Sequence, residues 1–166
     1  VRAPTDPLRF DDPDRRQALY LDGVNSFAMS YNPQIRVAEA GDLFKQFTVE
    51  CWVMPERYGV AQTIIDRCSA YEGNAINKDS FAIRSNFRIG MDKDGRVYGM
   101  FDNTDSIESG LNQPVSCQRV DGQILPLNQW SHVALTYNGS ELCIYVNGGL
   151  CDSATTTLIP ANGVIN

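Results

Sequence analysis

The 166-residue sequence predicts an all-β fold in which antiparallel strands form a sandwich or a barrel. Two observations carry this prediction. Short runs rich in β-branched and aromatic residues recur along the chain, and turn residues separate them at short intervals. Composition agrees, because 43% of the residues are apolar, enough for one sizeable core. The formal charge of −6 argues against a protein that binds nucleic-acid phosphates.

The elements follow in order from the N-terminus. Residues 1–17 contain three prolines, four aspartates and four arginines, which predicts an extended arm or linker before one domain over residues 18–166. A short, weakly periodic segment at Ile35–Phe44 is the one helix candidate. The predicted strands are Ala18–Leu21, Phe47–Met54, Gln62–Asp66, Ser80–Arg84, Phe87–Met91, Arg96–Phe101, Trp130–Tyr137 and Leu142–Val146.

Turn residues predict how the later strands connect. Asn138-Gly139 and Asn147-Gly148 each follow an apolar strand, and both central residues of a type I′ hairpin turn need the positive φ that Asn and Gly tolerate. Asp92–Gly95 predicts a third hairpin. The segments Cys68–Lys78 and Ser106–Gln123 are expected to be long exposed loops, where sandwich modules usually carry their binding residues.

Four motifs in order carry a resemblance to a known family. They read ALYLDG from Ala18, FTVECWV from Phe47, WSHVALTYNG from Trp130 and IYVNG from Ile144. This series resembles the laminin-G-like and pentraxin-type domains of the concanavalin A-like lectin/glucanase group, over residues 18–160. The resemblance implies a jelly roll of two curved antiparallel sheets. It also implies closing strands beyond Ile159–Asn166, so we expect the domain to be incomplete at its C-terminus and completed by a neighbouring segment or chain.

The resemblance further implies a secreted, extracellular module for cell adhesion or carbohydrate binding. We therefore expect a non-catalytic protein whose partner is a glycan or an extracellular protein, without nucleic-acid binding or a membrane span. The alternative is a structural subunit of an extracellular filament or surface coat. An enzymatic role is not expected, because none of the six glutamates has an acidic residue at i±2 in a strand-like run. His132, the single histidine, is expected to pack within a strand.

Calcium is the cofactor that the resemblance suggests. Asp79 matches an acidic position of the pentraxin-type pattern, where it precedes a strand. The turn that contains Asp102, Asn103 and Asp105 offers a second group of oxygen ligands. Calcium needs about six to eight oxygens. The alternative for the second group is a solvated hairpin loop, since Asp and Asn favour turns.

Five cysteines without a C-x-x-C pair favour disulfides of an oxidising compartment over a zinc site. We predict a Cys68–Cys117 pair and a buried free thiol at Cys51. Cys143 and Cys151 flank a hairpin whose two-residue loop sets Ile144 opposite Cys151, so that their pairing needs a shifted register.

The sequence Asn138-Gly139-Ser140 predicts a glycosylated asparagine in a turn. Among the aromatic residues, Trp52 and Trp130 lie in strongly apolar strands, and we expect them in the core. Tyr58, Tyr71 and Tyr98 lie near turns or loops, and we expect them to contact a ligand.

Overall fold

The structure is a computed structural model that describes residues 18–24, 26–28, 46–72, 81–103 and 116–160, with the backbone alone for 68–72 and 81–84. The chain divides into two compact units, Val1–Gln34 and Ile35–Asn166. In the first unit, Asp22 Oδ1 accepts hydrogen bonds from the N–H groups of Val24 and Ser26 at 2.9 and 3.0 Å, which forms a turn. The predicted strand Ala18–Leu21 is not formed. The arm at residues 1–17 and the helix candidate lie outside the described residues.

The described part of the second unit contains eight strands and no helix. In chain order they are β1 (Phe47–Val53), β2 (Gln62–Glu72), β3 (Phe81–Met91), β4 (Arg96–Asp102), β5 (Cys117–Ile124), β6 (Ser131–Tyr137), β7 (Glu141–Val146) and β8 (Gly149–Thr155). They form two antiparallel sheets: sheet A in the order β1-β6-β7-β8, and sheet B in the order β2-β3-β4-β5. The predicted fold class is confirmed.

In the second unit, three strands differ from the prediction. The runs Ser80–Arg84 and Phe87–Met91 belong to one strand, β3, because a register shift opposite Arg67 and Cys68 absorbs the irregular residues between them. β5 lies inside a segment that we predicted to be a loop. Its sequence is mostly polar, and its buried positions are Val120 and Gly122. The alternation of apolar and polar residues that would predict a strand is therefore weak. β2 likewise continues to Glu72, into the other predicted loop.

Alternating burial places one face of each sheet in a shared core. In β1 the odd-numbered residues from Phe47 to Val53 point inward and the even-numbered ones are exposed, as a period of two requires. Phe101 of sheet B packs edge-on against Phe47, with ring centroids 6.4 Å apart, and against Tyr137 at 5.0 Å. The buried core residues are Ile89, Val97, Phe101, Val120, Leu125, Val133, Leu135, Tyr137, Leu142, Ile144 and Val146.

The Asn147-Gly148 hairpin has the predicted geometry, with φ of 51° and 81° at its two central residues. The hairpin between β6 and β7 is shifted by one residue from its predicted position. The N–H of Asn138 donates to the carbonyl oxygen of Glu141 at 3.2 Å, so the central residues are Gly139 and Ser140. In the third hairpin, Asp92 Oδ1 accepts hydrogen bonds from Asp94 N–H and Arg96 N–H at 2.9 Å, and Gly95 takes a φ of 88°.

Candidate functional site

The outer face of sheet A carries an exposed tryptophan. Trp52 lies on β1 with 64% of its surface accessible, on the same face as Thr48 and Glu50. Trp130, just before β6, is 49% exposed. The prediction that both tryptophans are core residues is wrong, because the inward positions of β1 are occupied by the odd-numbered residues and Trp130 precedes the buried Ser131. These two exposed aromatic side chains are candidates for contact with a ligand.

Trp52 is held beside a histidine and a carboxylate. The pairing of β1 with β6 sets Trp52 opposite His132, and their ring centroids lie 5.2 Å apart at an angle of 51°. His132 Nε2 lies 3.4 Å from Glu50 Oε2, the carboxylate oxygen that faces it from the same strand as Trp52. His132 therefore packs within a strand, as predicted, but on the outer face of the sheet. These three side chains are the candidate site.

The backbone of His132 is fixed by the neighbouring hairpin. Its N–H donates to Asn147 Oδ1 at 2.9 Å, and its carbonyl oxygen accepts the N–H of Asn147 at 2.8 Å. Asn147 can do this because it adopts a positive φ at the first position of the turn. The asparagine therefore contributes both to the turn and to the position of the histidine.

A shallow depression of about 360 Å³ lies where β1 begins and β6 ends, at the opposite end of β1 from Trp52. It is bounded by the ends of β1 and β6, with Thr48, Thr136 and Asn138 among its lining residues. Asn138 Oδ1 accepts hydrogen bonds from Ser140 N–H, Ser140 Oγ–H and Glu141 N–H at 2.9, 3.1 and 2.8 Å. The amide oxygen thus stabilises the turn. Glycosylation at the exposed Asn138 stays a prediction.

The outer face of sheet B is richer in arginine. Arg88 Nε and Nη2 donate to Asp66 Oδ2 at 3.1 and 2.7 Å. Burial lowers the pKa of Arg88, but the hydrogen bond and charge of Asp66, with Tyr98 and Asp102, raise it overall. Arg119 pairs with Asp121 at 2.7 Å. Each of these two guanidinium groups already has a carboxylate partner.

Tyr98 is not an open aromatic platform. The Arg119 guanidinium lies over its ring, 4.1 Å from the centroid, and a Cβ added at Gly90 would overlap the ring. Tyr58 is engaged as well: its hydroxyl donates to Leu125 O at 2.5 Å, and its ring occupies the space beside Gly95. The side chain of Tyr71 lies outside the described residues. The ligand contacts predicted for these tyrosines stay predictions, but two of the rings already pack against the protein.

Comparison with known families decides the classification. A laminin G family model described as the concanavalin A-like lectin/glucanases superfamily matches residues 29–164. The chain belongs to this family. The predicted resemblance is therefore confirmed, and the two packed sheets are those of a laminin-G-type domain. A comparison with curated proteins finds no match.

Two solved structures are similar to this chain over part of their length. The Ruminococcus gnavus IT-sialidase CBM40 bound to α2,3-sialyllactose is 17% identical with a TM-score of 0.45, over 70% of this chain and 56% of that one. The endo-β-1,4-glucuronan lyase of the fungus Trichoderma reesei is 12% identical with a TM-score of 0.52, over 70% and 51%. The laminin-G-type chain thus spans about half the length of these two structures.

The predicted calcium ligands of this laminin-G-type domain are only partly described. Asp102 Oδ2 accepts the N–H of Ser85 at 2.7 Å, and Asn103 Oδ1 accepts the N–H of Ile159 at 3.2 Å. Both oxygens therefore stabilise the end of β4, and Asn103 is buried. The described residues hold no group of three or more acidic, histidine or cysteine side chains that could bind a metal. Asp79 and Asp105 lie outside them, and calcium stays a prediction.

The cysteines are placed by the topology. Cys68 and Cys117 lie on β2 and β5, the two outermost strands of sheet B. Three strand spacings separate them, roughly 14 Å. A disulfide needs Cα atoms within about 7 Å. This arrangement does not allow the predicted Cys68–Cys117 bridge, and Cys117 is an exposed free thiol.

The Cys143–Cys151 bridge, which we expected only with a shifted register, is not formed. Cys143 and Cys151 are free thiols. A shift in the β7–β8 register sets Cys143 opposite Ser153 and Ile144 opposite Asp152, and leaves Cys151 unpaired in the ladder. Cys51 is a half-buried free thiol on the core face of β1, close to the prediction.

Alkylation of the native protein tests these placements. Burial raises the pKa of the Cys51 thiol, so less of the reactive thiolate is present at pH 8. We expect iodoacetamide to modify Cys51 at least about tenfold more slowly than the exposed Cys117 and Cys151. Peptide mass spectrometry of a time course measures the three rates. Equal rates at all three sites in the folded protein would contradict the buried position of Cys51.

One further finding concerns membranes. No helix long and apolar enough to cross a membrane occurs in the described ranges of the chain.

The site residues that sequence reasoning missed are Trp52, Glu50 and His132 as a group. One signal was available. In FTVECWV the tryptophan alternates in step with Thr48 and Glu50, two polar residues, and a period of two puts it on their face. The approach of His132 to Glu50 had no local signal, because it depends on the register between β1 and β6.

Proposed function

We propose that this laminin-G-type domain is a non-catalytic, extracellular glycan-binding module, and that Trp52 is its stacking platform. Membership of the concanavalin A-like lectin/glucanases superfamily supports the class of ligand. The observation that carries the site is the exposure of Trp52 on a sheet face, next to polar groups. Tryptophan presents a large rigid apolar surface with little conformational freedom to lose, which suits the apolar face of a sugar ring.

The neighbours of Trp52 supply the polar half of sugar recognition. Ligand sites combine an apolar or aromatic surface with a few placed hydrogen-bonding groups. Glu50 is an exposed carboxylate on the same face, and a carboxylate accepts hydrogen bonds from sugar hydroxyls. Thr48 lies four residues before Trp52 and borders the shallow depression, roughly 13 Å along the strand. This face can therefore contact more than one sugar ring.

Replacing Trp52 with alanine tests the proposal. We expect the affinity for the best ligand on a glycan array to fall at least about tenfold, equivalent to about 1.4 kcal/mol. Tryptophan anchors at binding surfaces commonly contribute this much or more. Isothermal titration calorimetry with the ligand identified on the array measures the change. Chemical denaturation of the same variant confirms that it folds.

Leu150→Ala is the matched control. Leu150 is 58% exposed on β8, at the far side of sheet A, so its removal also deletes exposed apolar surface. Glycan affinity should stay within about twofold of the parent value, since the side chain lies three strands, roughly 14 Å, from β1. Equal losses in both variants, or none in W52A, would remove Trp52 from the site. Failure of the folded domain to bind any glycan would overturn the proposed function.

A further inference from the structure

We infer that the Trp52 site selects neutral glycans and discriminates against sugars that carry a carboxylate. This inference rests on the proposed function and names the ligand class of the same site. The physical basis is a separation of charge between the two sheets, together with the position of Glu50 beside the aromatic platform.

The strands of sheet A carry acidic side chains and no basic ones other than His132. The four strands contain no lysine or arginine; of their acidic residues, Glu50 and Glu141 lie on the outer face, whereas Asp152 Oδ2 accepts a hydrogen bond from Asp121 N–H of sheet B. Glu56 and Arg57 follow β1 together and add no net charge. All five arginines within strands lie in sheet B. A carboxylate-bearing sugar on the outer face of sheet A therefore meets acidic side chains and no strand guanidinium.

His132 already lies beside a carboxylate. It is the one side chain in the four strands of sheet A that can become a cation. Its Nε2 already faces Glu50 Oε2 at 3.4 Å. A ligand carboxylate placed on Trp52 would have to compete with Glu50 for the imidazole while lying next to a charge of its own sign. Like charges within a few ångströms of each other repel, and because Glu50 is 65% exposed, salt weakens this repulsion.

The hydroxyl groups of a neutral sugar can donate hydrogen bonds to Glu50. Glu50 is 65% exposed, so its carboxylate can accept hydrogen bonds from a neutral ligand. An acidic sugar gains nothing from this acceptor at its carboxylate, since neither anion has a proton to donate. Glu50 thus favours a hydroxyl at the position where it disfavours a carboxylate.

A matched pair of oligosaccharides tests the selectivity. A β-1,4-linked glucose tetrasaccharide and a β-1,4-linked glucuronic acid tetrasaccharide differ in the carboxylate at C6 of each ring, and lactose and α2,3-sialyllactose form a second pair. These four probes are titrated, beside a glycan array, into the parent domain and W52A. We expect every ligand whose binding depends on Trp52 to be neutral, and the neutral member of a pair to bind at least about fivefold more tightly in 50 mM salt.

The charge itself is tested with Glu50→Gln. The amide keeps an acceptor oxygen and removes the negative charge, so the ratio of acidic to neutral affinity should rise at least about threefold. Glu141→Gln makes the same change of charge near the other end of sheet A, roughly 20 Å along the strand from the Asn147 hairpin beside His132, and should change the ratio by less than about 1.5-fold. Raising the salt concentration should reduce the discrimination in the parent domain.

These experiments distinguish glycan binding at Trp52 from selectivity for neutral glycans. Trp52-dependent binding of an acidic glycan with equal or greater affinity overturns the selectivity and leaves glycan binding at Trp52 intact. Acidic-glycan binding that is unaffected in W52A and lost in Arg119→Ala overturns both the Trp52 site and its selectivity. An unchanged ratio in E50Q overturns the role of Glu50. Absence of any glycan binding by the folded domain removes the proposed function and this inference with it.

Discussion

Replacing Phe101 with alanine is expected to lower the free energy of unfolding by about 3–5 kcal/mol. The Phe101 side chain is fully buried, and its ring joins β4 of sheet B to Phe47 and Tyr137 of sheet A. Its loss leaves a cavity between the sheets that surrounding side chains fill only in part. Urea denaturation measures the change, as a lower midpoint with an unchanged m-value.

The control for Phe101 is another aromatic residue of the same sandwich. W52A removes a larger side chain, but Trp52 lies on the surface, so its effect on stability should stay within about 0.5 kcal/mol. A loss of several kcal/mol in W52A, or a loss below about 1 kcal/mol in F101A, would contradict the assignment of the inward and outward faces. The two variants thus separate a core role from a binding role.

Replacing Gly99 with alanine is expected to lower the free energy of unfolding by about 1–3 kcal/mol. A Cβ at this position of β4 would overlap Leu135 Cδ1, which belongs to sheet A. Leu135 is fully buried, so it can give way only if neighbouring core side chains also move. The added methyl group therefore forces the two sheets apart locally. Denaturation curves for the variant and the parent protein provide the measurement.

Gly149→Ala adds the same methyl group in an open position. The nearest atom to its Cβ would be the carbonyl oxygen of Val146 at 3.4 Å, and Gly149 does not require a positive φ. Its effect should stay within about 0.5 kcal/mol. If G99A is as stable as G149A, the close approach of Gly99 to Leu135 is wrong. Restoration of G99A by Leu135→Val would support the steric explanation.

Local patterns account for much of the fold. β1 and β6 were predictable because apolar and polar residues alternate in both, and the Asn147-Gly148 pair predicted its turn through the φ values it tolerates. β5 was not, because Arg119 and Asp121 alternate with Val120 and Gly122, and a glycine carries no hydrophobic signal. That strand is defined by its pairing with β4, which no short window of sequence contains.

The site was less accessible to prediction. Trp52 was assigned to the core from the apolar character of its strand, although its alternation with Glu50 pointed outward. The approach of Glu50 to His132 depends on the register between two strands about 80 residues apart in sequence, and composition does not predict that register. The Cys68–Cys117 prediction failed for the same reason: the loops that seemed to bring the thiols together are partly strands on opposite edges of a sheet.

The hydrogen bonds from the Asn147 hairpin to His132 bear on the thermodynamics of recognition. Asn147 fixes the backbone of His132, and the His132 ring contacts the Trp52 ring, so we expect the proposed platform to be ordered before a ligand arrives. Ordering a side chain during binding lowers affinity by about 0.5–1.5 kcal/mol for each mobile group. Here that entropy is lost during folding. We therefore expect the hairpin to act as a preorganising element. A change that destabilises this two-residue turn should also lower the affinity of the surface around Trp52.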